Sequence, residues 1–302
     1  MRLRARGLDT GYLKFLVPGV VVFLVVVIGP FFANIGLSFT AWRGIGSPRW
    51  LGLDNYSRLL RDDAFWASFR NNVAMIIAMT VIPTMVGLLL AALLFDYVAK
   101  RFSQRWATPL RAAYYLPQVL PVAVAGVVWG WILHPSYGVL NRFLEVIGLE
   151  SLTRNWLGDP QTALPSVMAV MVWIQIGYPV VMFMAGLQRV VPEMYEAAEL
   201  DGANWFQRFW YISIPSIRPE IFVVVLTTVV AALKVFGPIF VLTRGGPGTA
   251  TLVPSYFSYQ NFFERADVGY GATISTVLAA IIVAIAAVFI RFQSRRELAE
   301  LR

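Results

Sequence analysis

An acid-rich segment between two apolar stretches is the part of the sequence whose residue spacing best suits specific chemistry. The segment 188–218, here called the acidic loop, holds four of the chain's 17 acidic residues within nine positions. Pro192 suits the first position of a helix and Gly202 suits its end, which predicts a short helix between them. A second short helix is predicted over 203–211. The four acidic residues are Glu193, Glu196, Glu199 and Asp201.

The residues of the acidic loop leave two interpretations open. The first is a pair of amphipathic helices that lie on the membrane surface, and such helices are usually rich in Lys and Arg. The second is a docking surface for a soluble partner. The first predicted helix is acidic, and its small Ala197 and Ala198 allow another chain to approach closely. These features favour docking.

A second group of residues has side chains that suit contact with a solute inside the membrane. Lys234 lies within the stretch 221–243, which has no other charged residue. A cation facing lipid there costs about 3 kcal/mol. Lys234 therefore lines a wet cavity, snorkels to the interface or meets a partner chain. Aromatic and amide side chains suit stacking on sugars and bonding to hydroxyl groups, although membrane aromatics also form interfacial belts. The residues concerned are Trp129, Trp131, Trp173, Gln175 and Tyr178.

Several kinds of chemistry are excluded by residue counts. The chain has no cysteine and a single histidine, His134, so thiolate catalysis and multi-histidine metal sites are not expected. None of its three lysines stands in the Gly-Lys-Ser/Thr pattern of a phosphate-binding loop. The sequence therefore predicts no catalytic residue, no metal site and no bound cofactor in this chain, so that any ATP must be bound by another chain.

The composition predicts an all-α polytopic membrane protein. Of 302 residues, 58% are hydrophobic and only 14% are charged, with a mean hydropathy of +0.65. The net charge of +8 is expected to interact with anionic lipid headgroups rather than with nucleic acid, because the basic residues stand between apolar runs. A bilayer-crossing helix needs about 20 apolar residues. Six spans are predicted in a single domain over 1–302, near 13–38, 72–95, 112–133, 164–187, 219–242 and 271–292.

The distribution of basic residues predicts the orientation. Six spans place both termini on one side, and segments on that side hold 15 basic residues against 9 on the other. The positive-inside rule makes the terminal side cytoplasmic, and the acidic loop with it. The first span is expected to stay uncleaved, because its apolar run exceeds that of a signal peptide. The charge-free segment 245–263 contains three Gly and two Pro and is predicted to be an external loop.

The acidic loop resembles a known motif. Glu196-Ala197-Ala198 is followed after three residues by Gly202 and after nine more by Ile212-x-Ile214-Pro215. This pattern is similar to the EAA motif of the permease subunits of bacterial ABC importers, with Ile214 in place of the usual Leu. Other short segments resemble the carbohydrate-type branch, which includes permeases for maltose-like sugars and glycerol phosphate. They are Leu51–Tyr56, Trp156–Asp159, Gly186–Arg189 and Leu242–Pro247.

The resemblance implies a fold, a set of partners and a location. It implies the type I ABC importer permease fold in a bacterial or archaeal cytoplasmic membrane. The partners would be a second permease (a paralogue or a second copy), two ATPase subunits that bind ATP and Mg, and an extracytoplasmic solute-binding protein. The acidic loop would sit in a groove of the ATPase. The residues that would couple the two are Glu196, Ala197, Ala198, Gly202, Ile212 and Pro215.

The resemblance also implies a function, for which alternatives are retained. The expected role is to form half of the path for a sugar. One alternative is import of glycerol-3-phosphate or a glycerophosphodiester, whose charge Lys234 would suit. Another is a stand-alone secondary carrier, against which the absence of Asp and Glu from the predicted spans counts. The sequence does not identify the solute or the partner chains.

Overall fold

The computed structural model describes residues 13–95 and 113–300, and these ranges are helical apart from loops and one short pair of strands. Five helical segments are long and apolar enough to cross a membrane, and a bent pair of helices makes a sixth if the pair forms one span. The predicted all-α polytopic fold is therefore confirmed, with five or six spans among the described residues. The helices and strands, in chain order, are α1 (Leu13–Phe23), α2 (Gly29–Ser38), β1 (Thr40–Ala41), β2 (Arg49–Trp50), α3 (Asp54–Leu60), α4 (Asp63–Leu93), α5 (Ala113–Val119), α6 (Val122–Ile132), α7 (Val139–Val146), α8 (Ala163–Gln175), α9 (Gly177–Leu187), α10 (Pro192–Leu200), α11 (Trp205–Arg208), α12 (Ile214–Ser216), α13 (Arg218–Leu233), α14 (Gly237–Leu242), α15 (Pro254–Tyr259) and α16 (Val268–Glu300).

One compact unit contains the described residues up to Arg61 together with 258–277. A π-helical turn, Leu24–Ile28, joins α1 to α2, and β1 pairs antiparallel with β2. The side-chain amide of Asn34 donates to the hydroxyls of Ser275, at 3.1 Å, and Thr276, at 3.0 Å. These bonds hold α2 against the start of α16.

The other unit contains 62–257 and the remainder of the chain from Leu278. Its centre is α4, which packs against α8, α9 and α13. A Cβ atom on Gly87 would lie 2.5 Å from the Cβ of Pro179, so only glycine lets α4 and α9 approach this closely. Val180, Phe183 and Val224 form the buried core beside this contact.

The structure differs from the predicted third and fifth spans. The third is bent by 107° between α5 and α6, at Pro121, a residue that cannot donate a helical hydrogen bond. The fifth is interrupted after Leu233 and resumes at Gly237. The Asn72 amide donates to the Ala232 carbonyl at 2.9 Å, and the Ser255 hydroxyl donates to the Val235 carbonyl. Side-chain donors of this kind allow a helix to break at membrane depth.

Other boundaries also differ from the predictions. The second span begins at Asp63, because Asp62 accepts hydrogen bonds from the first backbone amides of α4. The sixth runs over Val268–Arg295, most of α16. The expected loop at 245–263 is helical in its second half, where α15 continues into a π-helical turn, Gln260–Glu264. Tyr256 and Phe257 are buried there, and this burial rather than the Gly and Pro content decides the conformation.

Candidate functional site

The first arm of the acidic loop is the short helix α10. Pro192 occupies its first turn and Glu193 lies where the helix dipole favours an acid. The helix ends at Leu200, and Gly202 just beyond it has a φ of 77°, in the left-handed region. The amide of Gly202 donates to the Glu199 carbonyl and that of Ala203 donates to the Ala198 carbonyl, at 3.1 and 2.9 Å. This is the Schellman arrangement, so the predicted helix start and stop agree with the structure.

The second arm is longer than predicted. Asn204 begins it with a capping box, in which its side chain accepts from the Gln207 amide and the Gln207 side chain accepts from the Asn204 amide. From Trp205 the chain stays helical through α11, a π-helical turn (Phe209–Ser213) and α12. The arm thus leads from the tip of the acidic loop directly to α13.

Three side-chain pairs join the two arms and the two ends of the acidic loop. Near the tip, Glu199 forms an ion pair with Arg208. In the middle, the hydroxyls of Tyr195 and Ser213 lie 3.0 Å apart. At the base, Arg189 forms an ion pair with Glu220. These six residues were not predicted as site residues, because nothing in the local sequence pairs positions so far apart.

The predicted coupling residues divide between the two arms. Glu196, Ala197 and Gly202 are exposed and Ala198 is half-buried, so the first arm presents an acidic surface of small residues. Ile212 and Pro215 lie on the second arm and are half-buried. Exposed apolar side chains extend the surface around them, namely Met194, Leu200, Phe206 and Trp210. The arrangement can bind the surface of another chain.

A groove runs between α9 and α13, here called the α9–α13 groove. The hydroxyl of Thr227 donates to the hydroxyl of Tyr178 at 3.2 Å across it. One end of the groove widens into a cleft of about 400 Å³. Residues three or four apart share a helix face, and this spacing relates the residues of the α9 wall. The groove is lined by Tyr178, Met182, Ala185 and Arg189 from one side and by Pro219, Glu220, Val223 and Thr227 from the other.

The described part of the chain holds no group of three or more His, Asp or Glu side chains that could bind a metal ion.

A family model decides the identity of the chain. Residues 97–297 match the family described as the binding-protein-dependent transport system inner membrane component. The chain belongs to this family of ABC transporter permeases. The family is the membrane component of the transport system rather than its catalytic subunit. The predicted membership is confirmed, and it favours the permease interpretation over a stand-alone secondary carrier.

Curated relatives agree with this assignment over nearly the whole permease. It is 37% identical over 279 residues to the protein named "Probable ABC transporter permease protein YurN" of Bacillus subtilis, covering 92% of this chain and 94% of that one. It is 31% identical over 293 residues to the trehalose/maltose transport system permease protein MalF of Thermococcus litoralis, covering 96% and 95%.

A solved structure confirms the fold of the permease. A chain of a bacterial ABC transporter involved in the import of the acidic polysaccharide alginate superposes with a TM-score of 0.82. The two chains are 23% identical, and the match covers 95% of this chain and 96% of that one. The likeness shows the ABC importer permease fold that the sequence resemblance implied.

The structure brings some of the predicted solute-path residues of the permease together. The rings of Trp129 and Trp173 meet edge to face, with centroids 5.5 Å apart. Tyr178 lines the α9–α13 groove, and Lys234 is exposed just after the end of α13. Gln175 is buried among apolar residues of α8, and Trp131 is exposed on the side of α6 away from Trp129. Contact with a solute stays a prediction for all six.

Proposed function

We propose that this permease forms half of the membrane path of an ATP-driven importer for a sugar. Related permeases are named for trehalose/maltose, sulfoquinovosyl glycerol and diacetylchitobiose, and the protein carrying the last of these names is 32% identical over 92% of this chain. These names support a sugar over the alternative of glycerol-3-phosphate or a glycerophosphodiester. The partners would be a second permease, two ATPase subunits that bind ATP and Mg, and an extracytoplasmic solute-binding protein.

The exposed acidic surface of α10 is the observation that carries the proposal. Glu196 and Ala197 project from a hairpin whose arms are joined by Tyr195 and Ser213, so the surface is held in one shape. A basic groove on a soluble ATPase fits such a surface in charge, and small residues let the two backbones approach. The acidic loop and both termini then lie in the cytoplasm of a bacterial or archaeal cell.

The α9–α13 groove supplies the path in this proposal. Thr227 and Tyr178 place hydroxyl groups in the groove, and the exposed Lys234 follows the end of α13, where a cation facing lipid would be costly. The second permease closes the groove from the other side. Trp129 and Trp173 offer aromatic faces for stacking on the apolar face of a sugar.

Transport then follows from nucleotide binding at the partner. ATP bound to the ATPase favours the outward-facing state because that state binds ATP more tightly, and hydrolysis returns the path to the inward-facing state. The acidic loop passes this change to the membrane helices.

Charge reversal on α10 tests the proposal. Glu196→Lys should detach the ATPase during purification and abolish sugar uptake, because a basic side chain would face a basic partner surface. Glu150→Lys is the matched control, since Glu150 is also exposed but lies outside the acidic loop. Both variants should insert into the membrane normally. Retention of the ATPase by Glu196→Lys at the wild-type level would refute the docking role.

A further inference from the structure

Arg189 and Glu220 stand at the two ends of the acidic loop. Arg189 follows the last residue of α9 by two positions, and Glu220 lies in the first turn of α13. Their side chains form an ion pair across the base of the acidic loop. The Glu220 side chain is only 10% exposed, whereas that of Arg189 is 71% exposed. A carboxylate buried to this extent needs a charged partner, and Arg189 supplies it.

The ends of α9 and α13 pack closely beside this ion pair. Leu187 and Ile217 are each about 1% exposed and belong to the same core cluster. A Cβ atom on Gly186 would lie 2.9 Å from Cγ2 of Ile217 and 3.1 Å from Cδ of Glu220. The end of α9 and the start of α13 are therefore in direct contact at the base of the acidic loop.

The same connection continues away from the membrane. The Tyr195–Ser213 hydrogen bond and the Glu199–Arg208 ion pair join the arms at two further levels. Three side-chain pairs, at the base, the middle and the tip, therefore join the acidic loop and the two helix ends into a single body. A rigid body transmits a displacement from its tip to its base.

We propose that Arg189 and Glu220 are positioning residues that hold the two ends of the acidic loop together throughout the transport cycle, so that movement of the ATPase reaches α9 and α13 at once. This inference rests on the proposed function, because it assigns a role to the base of the loop that the ATPase would grip. The pair also lines the cleft at one end of the α9–α13 groove. A movement of the acidic loop would therefore also move part of the groove wall.

The first test measures coupling in the complete transporter reconstituted with its binding protein. Arg189→Gln should lower the ratio of solute imported to ATP hydrolysed roughly tenfold, and Arg189→Lys should preserve this ratio because the charge is kept. A purely structural role would lower uptake and hydrolysis in parallel and leave their ratio unchanged. Arg142→Gln is the control, since it removes an exposed ion pair with Glu145. An unchanged ratio in Arg189→Gln would overturn the proposal.

The second test uses the absence of native cysteines from this chain. Arg189→Cys/Glu220→Cys should be uncoupled like Arg189→Gln, and joining the two thiols with a short bifunctional thiosulfonate reagent should restore coupling. If the reagent instead blocks uptake, or leaves the ratio at its uncoupled value, the helix ends do not act as one body and the inference fails.

Different results would overturn the proposed function and the role of the Arg189–Glu220 pair. A wild-type permease that binds no ATPase would overturn the proposed function. Assembled complexes in which every Arg189 and Glu220 variant keeps the wild-type ratio would overturn only the role of this pair.

Discussion

The hydroxyl groups of Tyr195 and Ser213 lie 3.0 Å apart in the interior of the acidic loop. Tyr195 is 6% exposed and Ser213 is 2% exposed, although both belong to a segment that projects from the helical bundle. The bond joins α10 to the second arm, and the Tyr195 ring also packs against Phe95 near the end of α4, with ring centroids 6.2 Å apart.

Removing this hydrogen bond should lower the stability of the permease. Tyr195→Phe is expected to reduce the free energy of unfolding by about 1 kcal/mol, because the buried Ser213 hydroxyl loses this partner. Thermal unfolding of the purified transporter measures the change. Tyr211→Phe is the control, since Tyr211 is exposed on the same arm. Equal losses in the two variants would show that the Tyr195 bond contributes nothing specific.

The end of α10 depends on a conformation that suits glycine. Gly202→Ala should weaken binding of the ATPase about fivefold, because a left-handed residue other than glycine costs about 1 kcal/mol. No atom lies within 4 Å of the position that the new Cβ would take, so the effect is conformational rather than steric. Titration of the ATPase onto the reconstituted permease gives the affinity. Gly36→Ala is the control, because its new Cβ also has no atom within 4 Å and the backbone at Gly36 has no positive φ. This variant should bind the ATPase with normal affinity. Unchanged affinity in Gly202→Ala would contradict a role for this turn.

The exposed cation at the break in the fifth span should take part in transport. Lys234→Met is expected to lower the rate of sugar uptake while the transporter still assembles, because the proposed path loses the ammonium group exposed after α13. Uptake into proteoliposomes measures the rate. Lys14→Met, near the start of α1, should transport normally. Wild-type uptake by Lys234→Met would make Lys234 a structural residue.

The orientation of the chain can be tested with single cysteines. Phe206→Cys introduces an exposed thiol on the second arm of the acidic loop. A membrane-impermeant reagent should label it only from the cytoplasmic side. Tyr137→Cys, in the exposed turn between α6 and α7, should be labelled only from outside. Labelling of Phe206→Cys from outside would reverse the proposed topology.

Local features of the sequence were sufficient to predict the membrane class and the acidic loop. The six apolar stretches and the helix between Pro192 and Gly202 depend on composition and on neighbouring residues, and both can be read directly from the sequence. The limits of the spans were less predictable. The break after Leu233 is not visible in a charge-poor stretch, because it depends on Asn72, a residue 160 positions from the carbonyl of Ala232 that it binds.

The sequence by itself determined that this chain is a polytopic permease with an acidic loop before its fifth span, since apolar length and motif spacing are properties of short segments. Only the tertiary structure decided which residues join the two arms of that loop and which form a groove. Arg189 meets Glu220 and Tyr178 meets Thr227 because α9 and α13 pack together, and that packing depends on close approaches such as Gly186 against Ile217. Such contacts join positions far apart in the chain, and the free energy of packing α9 against α13 selects them.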